Sequence, residues 1–291
     1  MASLTRHIAS LLIAASAIAP SVKAEGYNIN YSAEAVLNAG NGDFAPYYVA
    51  SNRHGIITQS KNALLRASIS RPMQLEKRFT YGFAADIIGG YGSDVDYLRY
   101  SGGKLIQNPQ HPARFWLQQL YGEIKYRSLF LTVGLKEHSS AMLYTPLSSG
   151  DLVESGNSRP MLECRAGFID FQNIPFTNGW VQIQGEISYA KPTDNHWLRN
   201  HYNYYYGHVN YGAFYTYKRC YFRTKPAMPF SATFGMQVGA FYGGQTTSYD
   251  KGKPGKTLHF SRGIKQIFKM LIPRDGGQSY YSGSTLGSWD V

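Results

Sequence analysis

Cysteine is nearly absent from this chain of 291 residues, which holds only Cys164 and Cys220. That count excludes a disulfide-stapled mini-scaffold and a Cys-rich zinc module. The two thiols can pair in an oxidising compartment or stay small hydrophobes, and both alternatives stand. Charge is scarce too: Asp, Glu, Lys and Arg make up 16% of the residues, fewer than the roughly 25% usual for soluble domains. After Ala24 there is no apolar run of the roughly 18 or more residues that mark a membrane helix, which argues against an inner-membrane helical protein. Zinc spacing, a phosphate loop and a dinucleotide fingerprint are all missing.

The first residues have the order of an export leader. Arg6 and His7 form a basic start, Ile8 to Ala19 is almost wholly apolar, and Val22-Lys23-Ala24 puts small residues at cleavage spacing. A leader over residues 1–24 is expected, with the mature chain from Glu25 onward and one β-rich unit over 25–291. Ala24 stands where a lipid-attached chain would need Cys. Composition supports strands over helices: 24 Tyr, 30 Gly and 15% aromatic residues suit pleated, bending strands and a lipid–water boundary. The formal net charge of +11 points to acidic glycans or lipid phosphates as partners; nucleic acid is not expected for an exported chain. Basic loops answering an anionic membrane surface would give the same charge.

Alternation with period two carries the fold. Phe79, Tyr81, Phe83, Ala85, Ile87, Gly89 and Tyr91 alternate with Thr80, Gly82, Ala84, Asp86, Ile88 and Gly90. Leu120, Gly122, Ile124 and Tyr126 alternate with Gln119, Tyr121, Glu123 and Lys125. After Arg127-Ser128, Leu129, Leu131, Val133 and Leu135 alternate with Phe130, Thr132, Gly134 and Lys136. A two-residue turn would pair Tyr126 with Leu129 and put both apolar rows on one face. Val181 to Tyr189 opposes Gln182, Gln184, Glu186 and Ser188, and Phe230 to Tyr242 repeats the pattern. Such lengths fit tilted crossings of about 9–11 residues. A soluble sandwich also alternates, but its exposed rows are richer in Lys and Glu and its strands are usually about 5–6 residues.

The expectation is an all-β antiparallel transmembrane β-barrel, with one or two short helices. The residues available suffice for roughly 9–12 strands. Further strands are expected over Asn28–Leu37, Asn62–Ile69, Arg165–Phe171 and Phe214–Phe222. Thr193 to Tyr206 permits one helix. Ser261 is placed to cap a second, with Ile264, Ile267, Phe268 and Leu271 on one stripe and Pro273 at its end.

Glu137-His138-Ser139-Ser140 is the one cluster with a base beside hydroxyls, but neighbours in a strand point to opposite faces. Asp194, His196, His201 and His208 lack metal spacing on a helix. Asp86, Glu123 and Glu186 permit an acid/base pair, though balance against Lys125 and Lys136 across a polar interior is the simpler reading. Neither a metal nor a cofactor is expected.

The chain resembles the capsule assembly Wzi family of outer-membrane proteins. The resemblance rests on Phe44-Ala45-Pro46-Tyr47-Tyr48, Ala50-Ser51-Asn52-Arg53, Gln118-Gln119-Leu120-Tyr121-Gly122-Glu123 and Val133-Gly134-Leu135-Lys136-Glu137-His138. Leu147-Ser148-Ser149-Gly150-Asp151-Leu152, Arg165 to Phe171, Asn178 to Glu186 and Leu286-Gly287-Ser288-Trp289-Asp290 extend it. It implies a lectin-like, non-enzymatic barrel in the outer membrane of a Gram-negative bacterium, inserted by the barrel-insertion machinery, contacting outer-membrane lipids and binding capsular or surface polysaccharide. Family members are longer, so a larger barrel incomplete at the C-terminus is expected here.

Composition alone selects the sugar-binding candidates: Trp197, Arg199, Tyr202, Tyr204, Tyr205, Tyr206 and Lys218, aromatics to stack on sugar rings and cations for acidic groups. The interior-facing polar set is Asp86, Glu123, Lys125, Lys136, Gln182, Gln184 and Glu186. The rival functions are a porin or oligosaccharide channel and, with less support, an outer-membrane lipase or deacylase.

Overall fold

A computed structural model describes residues 15–18, 22–24, 28–138, 148, 151, 153–193 and 200–271. In chain order these form β1 (Ala15–Ile18), β2 (Val22–Ala24), β3 (Ile29–Asn38), α1 (Tyr47–Ala50), β4 (Asn62–Arg71) and β5 (Phe79–Gly92). Next come β6 (Val95–Ser101), β7 (Lys104–Gln110), β8 (Phe115–Tyr126), β9 (Leu129–Leu135), β10 (Leu162–Phe168), β11 (Gln172–Asn173) and β12 (Val181–Lys191). The rest are β13 (Tyr206–Tyr211), β14 (Phe214–Thr224), β15 (Thr233–Tyr242), β16 (Gly244–Asp250), β17 (Lys253–Phe260) and α2 (Ile264–Lys269).

The chain is all-β and antiparallel. Its main sheet has 12 strands, along the path β1-β3-β4-β5-β8-β9-β10-β12-β14-β15, with β2 beside β3 and β11 beside β12. Among the described residues this sheet does not close, and β15 is an edge. The segment read as a leader supplies β1 and β2, whose backbone pairs along β3. A hairpin, β6–β7, and a small sheet, β13-β16-β17, complete the fold.

In β5, β8 and β9 the alternation expected from the sequence is observed, whereas in the edge strand β15 both rows are exposed from Thr233 to Met236. In β5, Thr80, Ala84, Asp86 and Ile88 are buried, while Phe79, Tyr81 and Ile87 are exposed. Tyr126 faces Leu129 across the Arg127-Ser128 turn. Arg127 adopts φ 54°, a left-handed geometry that closes the turn. Polarity is reversed relative to a soluble sheet. The exposed rows hold Leu65, Leu120, Ile124, Leu131, Val133 and Met236, and the buried rows hold Asp86, Gln118, Glu123, Thr132, Glu163 and Arg165. Leu65 is 69% exposed and Asp86 1%.

Successive connections alternate between the two ends of an antiparallel meander, and their lengths sort with the ends. Residues 39–61, 93–114, 136–161 and 192–213 make long connections at one end, with β6, β7 and β13 built into them. Residues 72–78, 127–128, 169–180 and 225–232 make short ones at the other. Two long connections fold over the buried face. Ile56 and Ile57 pack on Val36, Leu64 and Ile88, and Val153 and Met161 pack on Ala190, Tyr215 and Tyr217.

Several expectations need correction. The strand expected from Phe230 begins at Thr233, because Thr224 and Ala232 bond across the preceding turn. The helix expected up to Tyr206 cannot reach its last turn: Tyr204 has φ 58° and Tyr206 opens β13. The second helix is present, but Gly263, not Ser261, is its N-cap. Helix α2 lies against the outward row of β12 and β14, where Tyr189 Oη donates to Ile267 O (2.8 Å) and Lys218 Nζ donates to Met270 O. Cys164 and Cys220 are free thiols, on strands separated by β12.

Candidate functional site

The buried face carries a ladder of ion pairs built by strand register. Arg66 and Asp86 stand two rungs apart on adjacent strands, and the guanidinium holds Asp86 Oδ2 through Nε (2.8 Å) and Nη2. The same Nη2 reaches Glu137 at 3.3 Å. A bulge in β8 opposite Asp86 and Ile87 turns two consecutive glutamines toward this group. Gln118 Nε2 donates to Glu137 Oε1 (2.8 Å) and Gln119 Nε2 to Asp86 Oδ2 (3.3 Å).

The second group centres on Arg165, whose side chain is 5% exposed. Its guanidinium contacts Glu154 (2.8 Å), Glu163 (3.0 Å) and Glu186 (2.7 Å). Arg219 shares Glu186 at 2.9 Å, and His138 contacts Glu163. Burial pushes the Glu154 carboxyl up, against the Arg165 charge, which pulls it down. Lys136 pairs with Glu123. A cavity of about 170 Å³ lies among these side chains, bordered by Glu123, Lys136, Arg165, Glu186, Tyr217 and Arg219.

Of the expected interior set, Asp86, Glu123, Lys125, Lys136, Gln184 and Glu186 face inward in buried or half-buried positions, while Gln182 bonds Asn173 and Arg223 nearer the short-turn end. The expected pairing is only partly right. Lys136 balances Glu123, but Lys125 Nζ donates to Lys77 O (2.6 Å), and arginines balance Asp86 and Glu186. Sequence reasoning missed Arg66, Glu154, Glu163, Arg165 and Arg219, and considered Glu137 only as part of the Glu137-His138-Ser139-Ser140 cluster. The parity of β4 and β10 puts Arg66 and Arg165 on the buried row and was the signal available. Asp86, Glu123 and Glu186 are each paired with a cation. Glu137 and His138 are absorbed in separate pairs, and Ser139 and Ser140 lie outside the described residues.

At the long-connection end, aromatic side chains from four segments converge. Tyr97 meets His201 edge to face (4.5 Å between centroids) and Phe44 (6.0 Å), and Tyr100 lies 4.7 Å from Tyr205. Tyr204 is packed between Tyr202 (5.4 Å) and Tyr249 (4.8 Å), with its hydroxyl 3.1 Å from that of Tyr211. Hydrogen bonds to backbone carbonyls knit the segments: Tyr100 N–H donates to Asn203 O (2.6 Å) and the side-chain Asn108 Nδ2 to Asn200 O (2.6 Å). Burial, aided by Asp43, pushes the Tyr97 phenol up to about 12, and burial raises Tyr202. Both stay neutral hydrogen-bonding groups at physiological pH.

The structure gathers Tyr202, Tyr204, Tyr205 and Tyr206 at this end. Tyr204 is buried as a packing residue, while Tyr205 and Tyr206 are exposed. Lys218 does not join them: it belongs to the outward row and bonds α2, because Lys218 pairs with Ile187 rather than with an inward residue. Trp197, Arg199, Asp194 and His196 lie outside the described residues. Tyr97, Tyr100 and Tyr249 were missed, because they sit on hairpin strands too short and polar to show in the alternation. Among the described residues, no group of three or more His, Cys, Asp or Glu is placed to hold a metal ion. No family model, curated protein or solved structure matches the chain.

Proposed function

We propose that this chain forms the wall of an outer-membrane β-barrel that binds surface polysaccharide at its long-connection end, without chemistry of its own. The observation that carries the membrane part is the reversed polarity: an apolar outward face over a charged, buried interior. Water would penalise so broad an apolar surface, whereas lipid is its proper solvent. Dimensions agree. The outward row of β8 runs from Phe115 to Tyr126 over 12 residues, roughly 36 Å along the strand and about 28 Å of height at a tilt of ~40°. Exposed aromatics mark both rims: Tyr91 and Phe115 at one, Tyr31, Tyr81, Tyr126 and Trp180 at the other, as in the girdles of barrels. Long connections at one end and short turns at the other match extracellular loops and periplasmic turns.

The polysaccharide part rests on the aromatic cluster of the long connections, which offers Tyr205 and Tyr206 as exposed ring faces beside Tyr100 and near the exposed Lys104 and Lys253. It accords with the resemblance to the capsule assembly Wzi family. Loops and ion pairs occupying the buried face favour a closed interior over an open pore. The test is retention of purified acidic capsule by the full-length protein in vesicles. Replacing both Tyr205 and Tyr206 by Ala is expected to weaken binding about tenfold, the scale of a lost aromatic anchor, with unchanged folding. Unaltered binding, or a large steady current across planar bilayers, would overturn the reading.

A further inference from the structure

The short-turn rim carries a second feature that polysaccharide binding does not use. Arg71, at the end of β4, lies with its guanidinium carbon 3.7 Å from the Tyr81 ring centroid and donates to Tyr81 O (2.6 Å). Arg78 and Arg127 both sit over Tyr126, at 5.4 and 5.7 Å. Arg78 donates to Tyr126 Oη (2.9 Å), and the Arg127 N–H to Arg78 O (2.6 Å) ties the two turns together. Tyr81 and Tyr126 belong to one outward row, since Tyr126 pairs with Phe79 and Tyr81 with Ile124. Among the described residues, no carboxylate lies within ion-pair distance of these three arginines. Three arginines on the inward rows of the main sheet, Arg66, Arg165 and Arg219, by contrast hold carboxylates.

Arg78 and Arg127, two like charges over one ring, repel one another unless an anion joins them, and Arg71 adds a third charge on the ring of Tyr81 in the neighbouring strand. A guanidinium has five donors, so those not used on protein oxygens stay available at the level where lipid headgroups sit. We infer that Arg71, Arg78 and Arg127, stacked on Tyr81 and Tyr126, form a binding site for the phosphate of an anionic glycerophospholipid headgroup at the short-turn rim. The tyrosine rings hold the guanidinium planes outward, and the lipid chains lie along Phe79, Ile124 and Leu131 below. This rests on the membrane-wall reading.

The test uses full-length protein in phosphatidylcholine vesicles containing spin-labelled phosphatidylglycerol or spin-labelled phosphatidylcholine. The wild-type chain is expected to favour phosphatidylglycerol by about fivefold or more, the effect of one arginine engaging an anionic surface. Replacing the three arginines with Gln should bring the preference to unity. Arg71→Lys, Arg78→Lys and Arg127→Lys together should keep part of it, since charge remains and ring stacking is lost. Should the Gln variant not fold, raising salt to 1 M on the wild-type chain replaces it, and the preference must then fall. Equal preference in wild type and Gln variant overturns the inference, as does displacement by millimolar inorganic phosphate, which would mark a free-anion site. Wild-type protein that immobilises no lipid of either kind overturns the membrane-wall reading instead.

Discussion

Leu120 sits at the middle of the outward row of β8, facing Ala85 on one neighbour and Leu135 on the other. It is 53% exposed, so on a water-facing sheet Leu120→Arg would be a surface change within about 0.5 kcal/mol of neutral. In a bilayer the same site lies roughly 16–20 Å along the strand from either aromatic rim. There an arginine costs about 2–4 kcal/mol, because the charge must leave hydrocarbon or draw water and headgroups inward. The two solvents therefore predict results that do not overlap. The assay is guanidinium unfolding of the full-length protein in vesicles, followed by tryptophan fluorescence and by heat-modifiable gel mobility. A loss of about 2–4 kcal/mol is expected, with Leu120→Ala losing less. A change under about 0.5 kcal/mol would refute the lipid-facing assignment.

Removing the cation in Arg165→Met strands Glu154, Glu163 and Glu186 together in a buried site, so a loss of about 3–5 kcal/mol is expected; less than 1 kcal/mol in the same unfolding assay would deny the ladder a structural role. Gly134 has φ 129°, and an added Cβ would stand 2.2 Å from Leu120 O, so Gly134→Ala should cost at least about 1–3 kcal/mol, and an unchanged midpoint would contradict the register of β8 and β9. Burial pushes the imidazole of His54 below its usual value despite the attraction of Glu137, with Arg66 and His138 adding to the depression. The neutral form thus fits the folded loop better: docking of residues 52–57 should be strongest above the unfolded value of about 6.5 and be lost as pH falls through the depressed one. Hydrogen exchange corrected for intrinsic rate should show less protection there at pH 5 than at pH 8; equal protection would remove His54 from the account.

How much of this was legible follows from which forces act locally. The Phe79–Tyr91 row and the Tyr126–Leu129 pairing could be read because side-chain period and turn length fix face and register within a few residues. The bulge at Gln118 and Gln119 could not, since two adjacent glutamines look like one row plus its neighbour until a second strand is laid beside them. Arg165 was inside an expected strand, and Glu163 lies two residues away on the same row, but Glu154 and Glu186 lie 11 and 21 residues away and reach it only through the fold. Lys218 was misplaced for a related reason. Both rows of β14 mix aromatic and polar residues, because one lines the interior with Tyr215, Tyr217 and Tyr221 and the other lies beneath α2. The aromatic cluster was half legible: the tyrosines of 202–206 stood out by density, whereas Tyr97 and Tyr100 arrive there through the folding of a distant hairpin.

The central claim is that alternate residues of these strands meet lipid and protein interior. It is tested most directly by single spin labels placed in turn at residues 119 to 125 of a Cys164→Ser, Cys220→Ser chain folded in vesicles. Accessibility to oxygen, which concentrates in hydrocarbon, should peak at 120, 122 and 124 and fall at 121, 123 and 125. A water-soluble nickel complex should reach none of the first three. Loss of the alternation, or nickel access at 120 and 122, would contradict the account.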